Sequence, residues 1–279
     1  MTTLPPPKML EQLDYENILA ERKAAFLNSL PADQRDQVAA VLALESEPIT
    51  KLLQESSYRE LVLRNRINDA AVSNLIAFAQ GFDLDYIAAL FAAPLRLPGE
   101  PDERYRERLL LRIASMAGMG TREHYLWHAM GISLDVIAAD VIRTAPGYID
   151  LVVRLSDSAN KPELLQQIIN YFAQDHVKIL GPALNIRAAI AKPINLKGTV
   201  YRLQSAPVNL AAQLQQSWPL LLAQHAKLGQ SIAKTWAVKT LHTDSVARLD
   251  LDMDDVIAIN SDEYAVAGTT QFTDGGVAW

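Results

Sequence analysis

The most constraining feature of this chain is a change in the spacing of its apolar residues at Gly131. Upstream they recur at i, i+3 and i+4, which places them on one side of a helix; downstream they fall on every second position, which places them on one face of a strand. No single regular element satisfies both periods. The chain must therefore be α+β, with an N-terminal helical region followed by two small αβ sandwich domains.

In the helical region the triplets Ile49/Leu52/Leu53, Tyr58/Leu61/Val62 and Val72/Leu75/Ile76 each lay down an apolar stripe. Pro31 and Pro48 suit the first turn of a helix, so helices are predicted over 32–44 and 48–80. Gly81 ends one helix and Asp83 is placed to cap the next. The stretch from Ala93 through Pro98-Gly99 to Pro101 reads as a loop, Thr121 as another N-cap and Gly131 as a stop.

Beyond it, a run from Ile132 to Val141 turns at Ala145-Pro146-Gly147 into a strand. There Ile149, Leu151, Val153 and Leu155 alternate with Asp150, Val152 and Arg154. A helix with Pro162 in its first turn follows, and then a strand carrying Leu184, Ile186, Ala188 and Ile190 on one side. After a break at Lys192-Pro193 the sequence predicts a strand with Ile194, Leu196 and Val200 inward, and helices over 208–227 and 231–241. A closing strand sets Leu249, Leu251 and Met253 against Arg248, Asp250, Asp252 and Asp254. The expected division is 1–130 helical, 131–192 a β-β-α-β domain and 193–279 a second αβ domain.

Composition limits what such a chain can do. With 49% hydrophobic and 21% charged residues it can bury a sizeable core. It has no cysteine, which removes disulfides, thiolate metal sites and a cysteine nucleophile. A net charge of −6 without a local basic patch gives no footprint for nucleic acid. No apolar run is long enough to cross a membrane as a helix, and the opening Met1–Lys8 has neither a signal-peptide nor a transit-peptide pattern, so the protein is expected to stay in the cytosol where it is made.

Few residue patterns suggest chemistry. His124 and His128 stand four apart on a predicted helix, the spacing by which two imidazoles share a metal. A zincin site, however, needs glutamate directly after the first histidine, and here Tyr125 occupies that place. The plain reading is two ordinary helix histidines. Asp250, Asp252 and Asp254 resemble the start of a calcium loop, yet Asp255 stands where glycine belongs and Ser261 where glutamate belongs, so a solvated acidic strand face is the better reading. Gly118-Met119-Gly120-Thr121 lacks the spacing and lysine of a phosphate loop. No catalytic, cofactor or metal residue is assigned. A helix over 100–112 sets Glu103 and Glu107 against Arg104, Arg106, Arg108 and Arg112, which suits either a solvated face or a partner-docking face.

Several segments together carry a resemblance to a known family. These are Pro5–Pro7 with Leu13–Lys23, Leu42–Leu53, Tyr58–Leu61 with Arg66–Ala71, Gly81–Asp85 with Ala88–Leu90, Asp102–Arg108, and the turn Ala145–Gly147. Over residues 5 to the low 250s the chain resembles the baseplate J-like family of contractile phage tails and related particles. The segment Ile113–Thr121 departs from the longer serine- and proline-bearing loop that the family pattern suggests. The resemblance implies a non-enzymatic structural subunit without cofactors. Two copies join a smaller wedge subunit, and six such wedges ring the hub near the sheath-initiating proteins. It implies assembly in the bacterial cytoplasm and a final place in the tail baseplate of a virion or equivalent particle. On that reading residues 1–130 serve wedge bundling, with Ile49, Leu52, Leu53, Tyr58, Leu61, Val62, Arg104 and Arg108 as interface residues. The alternative from a different class is a metal-dependent hydrolase using His124 and His128, which rests on that pair alone.

Overall fold

A computed structural model describes residues 10–278, so the Pro5–Pro7 lead lies outside the described residues. The chain forms two compact units, one of residues up to 95 with 101–106, the other of 96–100 with residues from 107 onward.

The first unit is helical, with α1 (Tyr15–Asn28), α2 (Arg35–Leu42), α3 (Pro48–Ser73) and α4 (Gly81–Leu90). Asp14 caps α1 by accepting from Asn17 N at 3.1 Å. A 3-10 turn over Ala32–Gln34 precedes α2, which is accordingly shorter than predicted. Pro48 occupies the first turn of α3 as expected, but α3 ends at Ser73 rather than 80. The reason is local: Asn74 Nδ2 takes the Ala70 carbonyl at 2.7 Å, the acceptor that a continuing helix would use. Nor does Asp83 cap α4. Gly81, at φ +51°, gives its N–H to Asp102 Oδ2 at 3.0 Å, so the cap comes from a residue distant in sequence.

Helix α1 packs along α3 through the buried Ile18 and Leu19. Beside that seam Glu60 accepts from Arg22 Nε at 3.0 Å and from Arg64 Nη2 at 2.6 Å. The two guanidiniums, Arg22 first, hold the Glu60 carboxyl below its ordinary range.

The second unit takes in most of α5 (Asp102–Ser115), then α6 (Arg122–Met130), capped by Thr121 as expected. Strands β1 (Val136–Ala145) and β2 (Tyr148–Leu155) form a hairpin whose turn uses Gly147 at φ +82°. Helix α7 (Lys161–Phe172) crosses over to β3 (Ala183–Ala188), which pairs parallel to β2. Side chains of α6 and α7, including Tyr125, Ala129, Ile168 and Phe172, pack on Leu151 and Val153 of the sheet.

The second sheet has the order β6-β4-β8, with β4 (Ile190–Arg202) between an antiparallel β6 (Val246–Asp252) and a parallel β8 (Glu263–Val277). Helices α8 (Leu210–His225) and α9 (Lys234–Leu241) cover it, and Trp218, Leu222 and Leu241 meet Leu196, Val200 and Leu249 in the core. A short ladder of β5 (Ile232–Ala233) and β7 (Val256–Ile257) completes the unit.

The chain passes from one sheet to the other across a single residue. Ala189 N donates to Val153 O at 2.8 Å in the first sheet, and the next amide, Ile190 N, donates to Asp262 O at 2.9 Å beside the second. The predicted break at Lys192-Pro193 is therefore absent, and Pro193 lies inside β4. It is tolerated because this part of β4 pairs with β8 alone, β6 joining only from Lys197. Arg187 ties the two sheets, its Nε and Nη1 each 2.8 Å from Asp150 Oδ2 and Asp262 Oδ2. Arg154 adds a hydrogen bond to Ala226 O at 2.8 Å and a stacking contact over the Tyr264 ring.

Candidate partner-docking surface

Helix α3 is 26 residues long and much of its apolar surface is uncovered. Its covered side carries Thr50 and Ser57, both buried, flanked by the half-buried Leu53 and Leu61. Thr50 donates to Leu42 O at 3.3 Å and Ser57 to Leu53 O at 2.7 Å, so these polar groups are satisfied within the bundle.

The exposed side carries Ile49, Leu52, Leu63 and Ile67, all within an arc of roughly 60° at 100° per residue. Leu52 is 68% exposed and Leu63 60%. Tyr58 and Val62 sit on a separate exposed flank. Of the residues singled out from the sequence, then, Ile49, Leu52, Tyr58 and Val62 face outward, while Leu53 and Leu61 belong to the inner seam. Leu63 and Ile67 were missed because Ser56 and Arg59 interrupt the outer stripe, so its two ends, Ile49 with Leu52 and Leu63 with Ile67, do not read as one apolar run.

The arginines of α5 depart from expectation. Arg104 is half-buried, but Arg106 is 6% exposed and Arg108 2% exposed. Arg106 reaches Ile76 O and Ala79 O at 2.7 and 2.6 Å. Arg108 forms a solvent-excluded pair with Glu100, at 2.7 Å from Nη2 to Oε2. Neither a solvated face nor a docking face describes Arg108, because its guanidinium is consumed by a buried carboxylate.

A second apolar surface lies on α4. Phe82, Tyr86 and Leu90 are 82%, 77% and 82% exposed, and Leu95 just beyond is 83% exposed. The opposite side of the same helix buries Leu84, Ile87 and Ala88. The i, i+4, i+8 series is legible in the sequence, but interleaved with the inner face it reads as one uniformly apolar segment.

His124 and His128 form a different kind of site. Both are buried, their rings meet edge to face at 4.5 Å, and His128 Nδ1 lies 2.9 Å from Tyr171 Oη. Trp127, Phe172 and Tyr171 pack around His128, and Arg112 lies over the Trp127 ring. Burial, aided by the fields of His124, His176 and Arg112, pushes His128 down to about 4, and burial also lowers His124. Among the described residues no group of three His, Cys, Asp or Glu side chains converges to hold a metal. The neighbouring cleft of about 420 Å³ is lined mainly by Tyr125, Phe172, Val177, Ile179, Leu184 and Ile186, with Lys178 and Asn185 as its polar members. The pair is therefore aromatic core packing. Asp250 and Asp252 likewise point outward from β6, with Asp250 paired to Arg248.

Residues 45–97, which hold all of α3 and α4, match the Baseplate J-like N-terminal domain. Over 272 residues the chain is 32% identical to the Baseplate protein J of Escherichia phage P2, covering 90% of this chain and 89% of that protein. The chain belongs to the baseplate J-like family. As a baseplate J-like protein it is a structural component of a phage-tail baseplate. A chain in the cryo-EM structure of the anti-feeding prophage baseplate is similar at a TM-score of 0.37 and 17% identity, over 62% of this chain. This baseplate J-like protein spans 42% of that chain's length.

Proposed function

We infer that this protein is a baseplate wedge subunit that assembles with a second copy of itself and a smaller wedge protein through α3. It is built in the host cytoplasm and then meets neighbouring wedges, the hub and the sheath-initiating proteins. Residues 1–130 serve bundling, and the domains of 131–192 and 193–279 contact further copies. The observation that carries this reading is the outer stripe of α3, Ile49, Leu52, Leu63 and Ile67, left uncovered on a long amphipathic helix. An uncovered apolar stripe on a long helix marks an interaction site, and a 3-4 repeat suits knobs-into-holes packing. Of the expected interface residues, Ile49, Leu52, Tyr58, Val62 and Arg104 remain in the proposed contact, with Leu53 and Leu61 supporting the helix from behind.

Co-expression with the smaller wedge subunit from the same gene cluster tests the reading. A stable complex that disappears with Leu52→Asp, while the variant stays folded, is the expected result. Recovery of separate monomers from the unaltered pair would refute it.

A further inference from the structure

The second apolar surface, on α4, is not used by that reading. We propose that the α4 face of one copy docks on the outer α3 stripe of a second copy, making a head-to-tail contact. This deepens the wedge proposal and rests on it.

Helix α4 is apolar on both sides, and its buried side already completes the first unit through Leu84, Ile87 and Ala88. The outer side places Phe82, Tyr86 and Leu90 in water, with Leu95 following. Covering these four removes on the order of 500 Å² from water on one partner, against about 800 Å² per partner in a standard specific interface. That is enough for the centre of a contact.

Charge decides which surface fits. On the helical wheel the α4 stripe is bordered by Asp83 on one side and Asp85 on the other. Two α4 faces meeting about a two-fold axis would bring these acids together, which disfavours a symmetric pairing. The outer stripe of α3 is flanked instead by Arg59 and Arg66 on one side, and on the other by Glu60, whose carboxylate is taken by Arg22 and Arg64. Arg59 is engaged by Glu55, while Arg66 is exposed and no hydrogen bond or ion pair of its side chain is found among the described residues. An acidic-edged aromatic stripe and an aliphatic stripe with Arg66 along one edge, on the same chain, are complementary. Made once per pair of copies, the contact is heterologous, and its repetition generates a ring or an open helix.

The test replaces Tyr86 with a photoreactive phenylalanine analogue in the complex co-expressed with the smaller wedge subunit, using a mixture of isotopically light and heavy copies. The expected adduct joins position 86 of one copy to residues 49–70 of another. Phe82→Ala with Tyr86→Ala weakens self-association about a hundredfold, and Asp83→Lys on the order of tenfold, partly restored by Arg66→Glu. Circular dichroism of each variant stays unchanged, since the altered side chains are exposed. An adduct on the smaller subunit, or on α4 of the second copy, overturns this proposal and leaves the wedge reading standing. Failure of the complex to form at all overturns both.

Discussion

Arg108 and Glu100 meet as a two-pronged ion pair from which solvent is excluded, Nη2 lying 2.7 Å from Oε2 and Nε 3.1 Å from Oε1, with side-chain exposures of 2% and 0%. Glu100 also accepts from Leu97 N at 3.0 Å, so the carboxylate pins the loop ahead of α5.

Removing one member strands the other charge. Glu100→Ala is expected to cost about 3–5 kcal/mol, because the Arg108 guanidinium is left buried beside a void. Replacing both residues, Glu100→Leu with Arg108→Met, is expected to recover much of that loss. Urea denaturation of the three proteins checks the order of stabilities, and additive losses in the double variant would contradict it.

His128 makes the fold sensitive to acid. Its ring is held near 4 in the folded protein against an unfolded value of about 6.5. The folded state therefore resists taking up a proton that the unfolded chain accepts. Stability is full above pH 6.5 and falls as the pH drops towards 4, by about 3 kcal/mol from this group. His128→Phe is expected to flatten that part of the stability–pH curve, read by thermal melts between pH 4 and 7.

The α3 stripe separates assembly from folding. Leu52→Asp and Leu63→Asp place a charge on an exposed surface, so melting temperatures stay within about 2 °C while association with partner chains falls at least tenfold. Leu61→Asp differs, because Leu61 faces the inner seam, and it is expected to lower the melting temperature as well. Size-exclusion chromatography with light scattering, beside calorimetry, distinguishes the two classes.

Arg187 holds Asp150 and Asp262 below the usual carboxylate range, chiefly by its hydrogen bonds to them. Stability from these pairs is present above pH 4 and is lost as acid protonates the carboxylates. Arg187→Ala is expected to cost about 1–2 kcal/mol at pH 7 and much less at pH 3. Hydrogen exchange at Ala189 and Ile190 should accelerate in that variant; unchanged exchange would show that the strands hold the two sheets without it.

The sequence was most legible where burial is one-sided. The alternation of Leu249 and Leu251 with Arg248, Asp250 and Asp252 announced β6, because one face of that strand is core and the other water. It was least legible where partners are distant. Strand β8 is an edge strand with little apolar alternation, Thr269, Thr270, Gly275 and Gly276 among it, and its place is set by pairing with β4. Gly268 and Gly275 fit there because a Cβ would collide with Asn195 and Tyr201. Asp102 capping α4 and Glu100 neutralising Arg108 are of the same kind, since no local pattern records which carboxylate folds back. The outer stripes of α3 and α4 were partly visible, but only the structure separates inward Leu53 and Leu61 from outward Leu52 and Leu63.

The link at Ala189 has its length fixed by parity. Side chains alternate along a strand, so one added residue between β3 and β4 would turn Ile194, Leu196 and Val200 out of their core, or else pull Arg187 away from both aspartates. Surface loops elsewhere can lengthen by any number; here only pairs of residues preserve the pattern. Homologues that vary at this joint are accordingly expected to do so in steps of two.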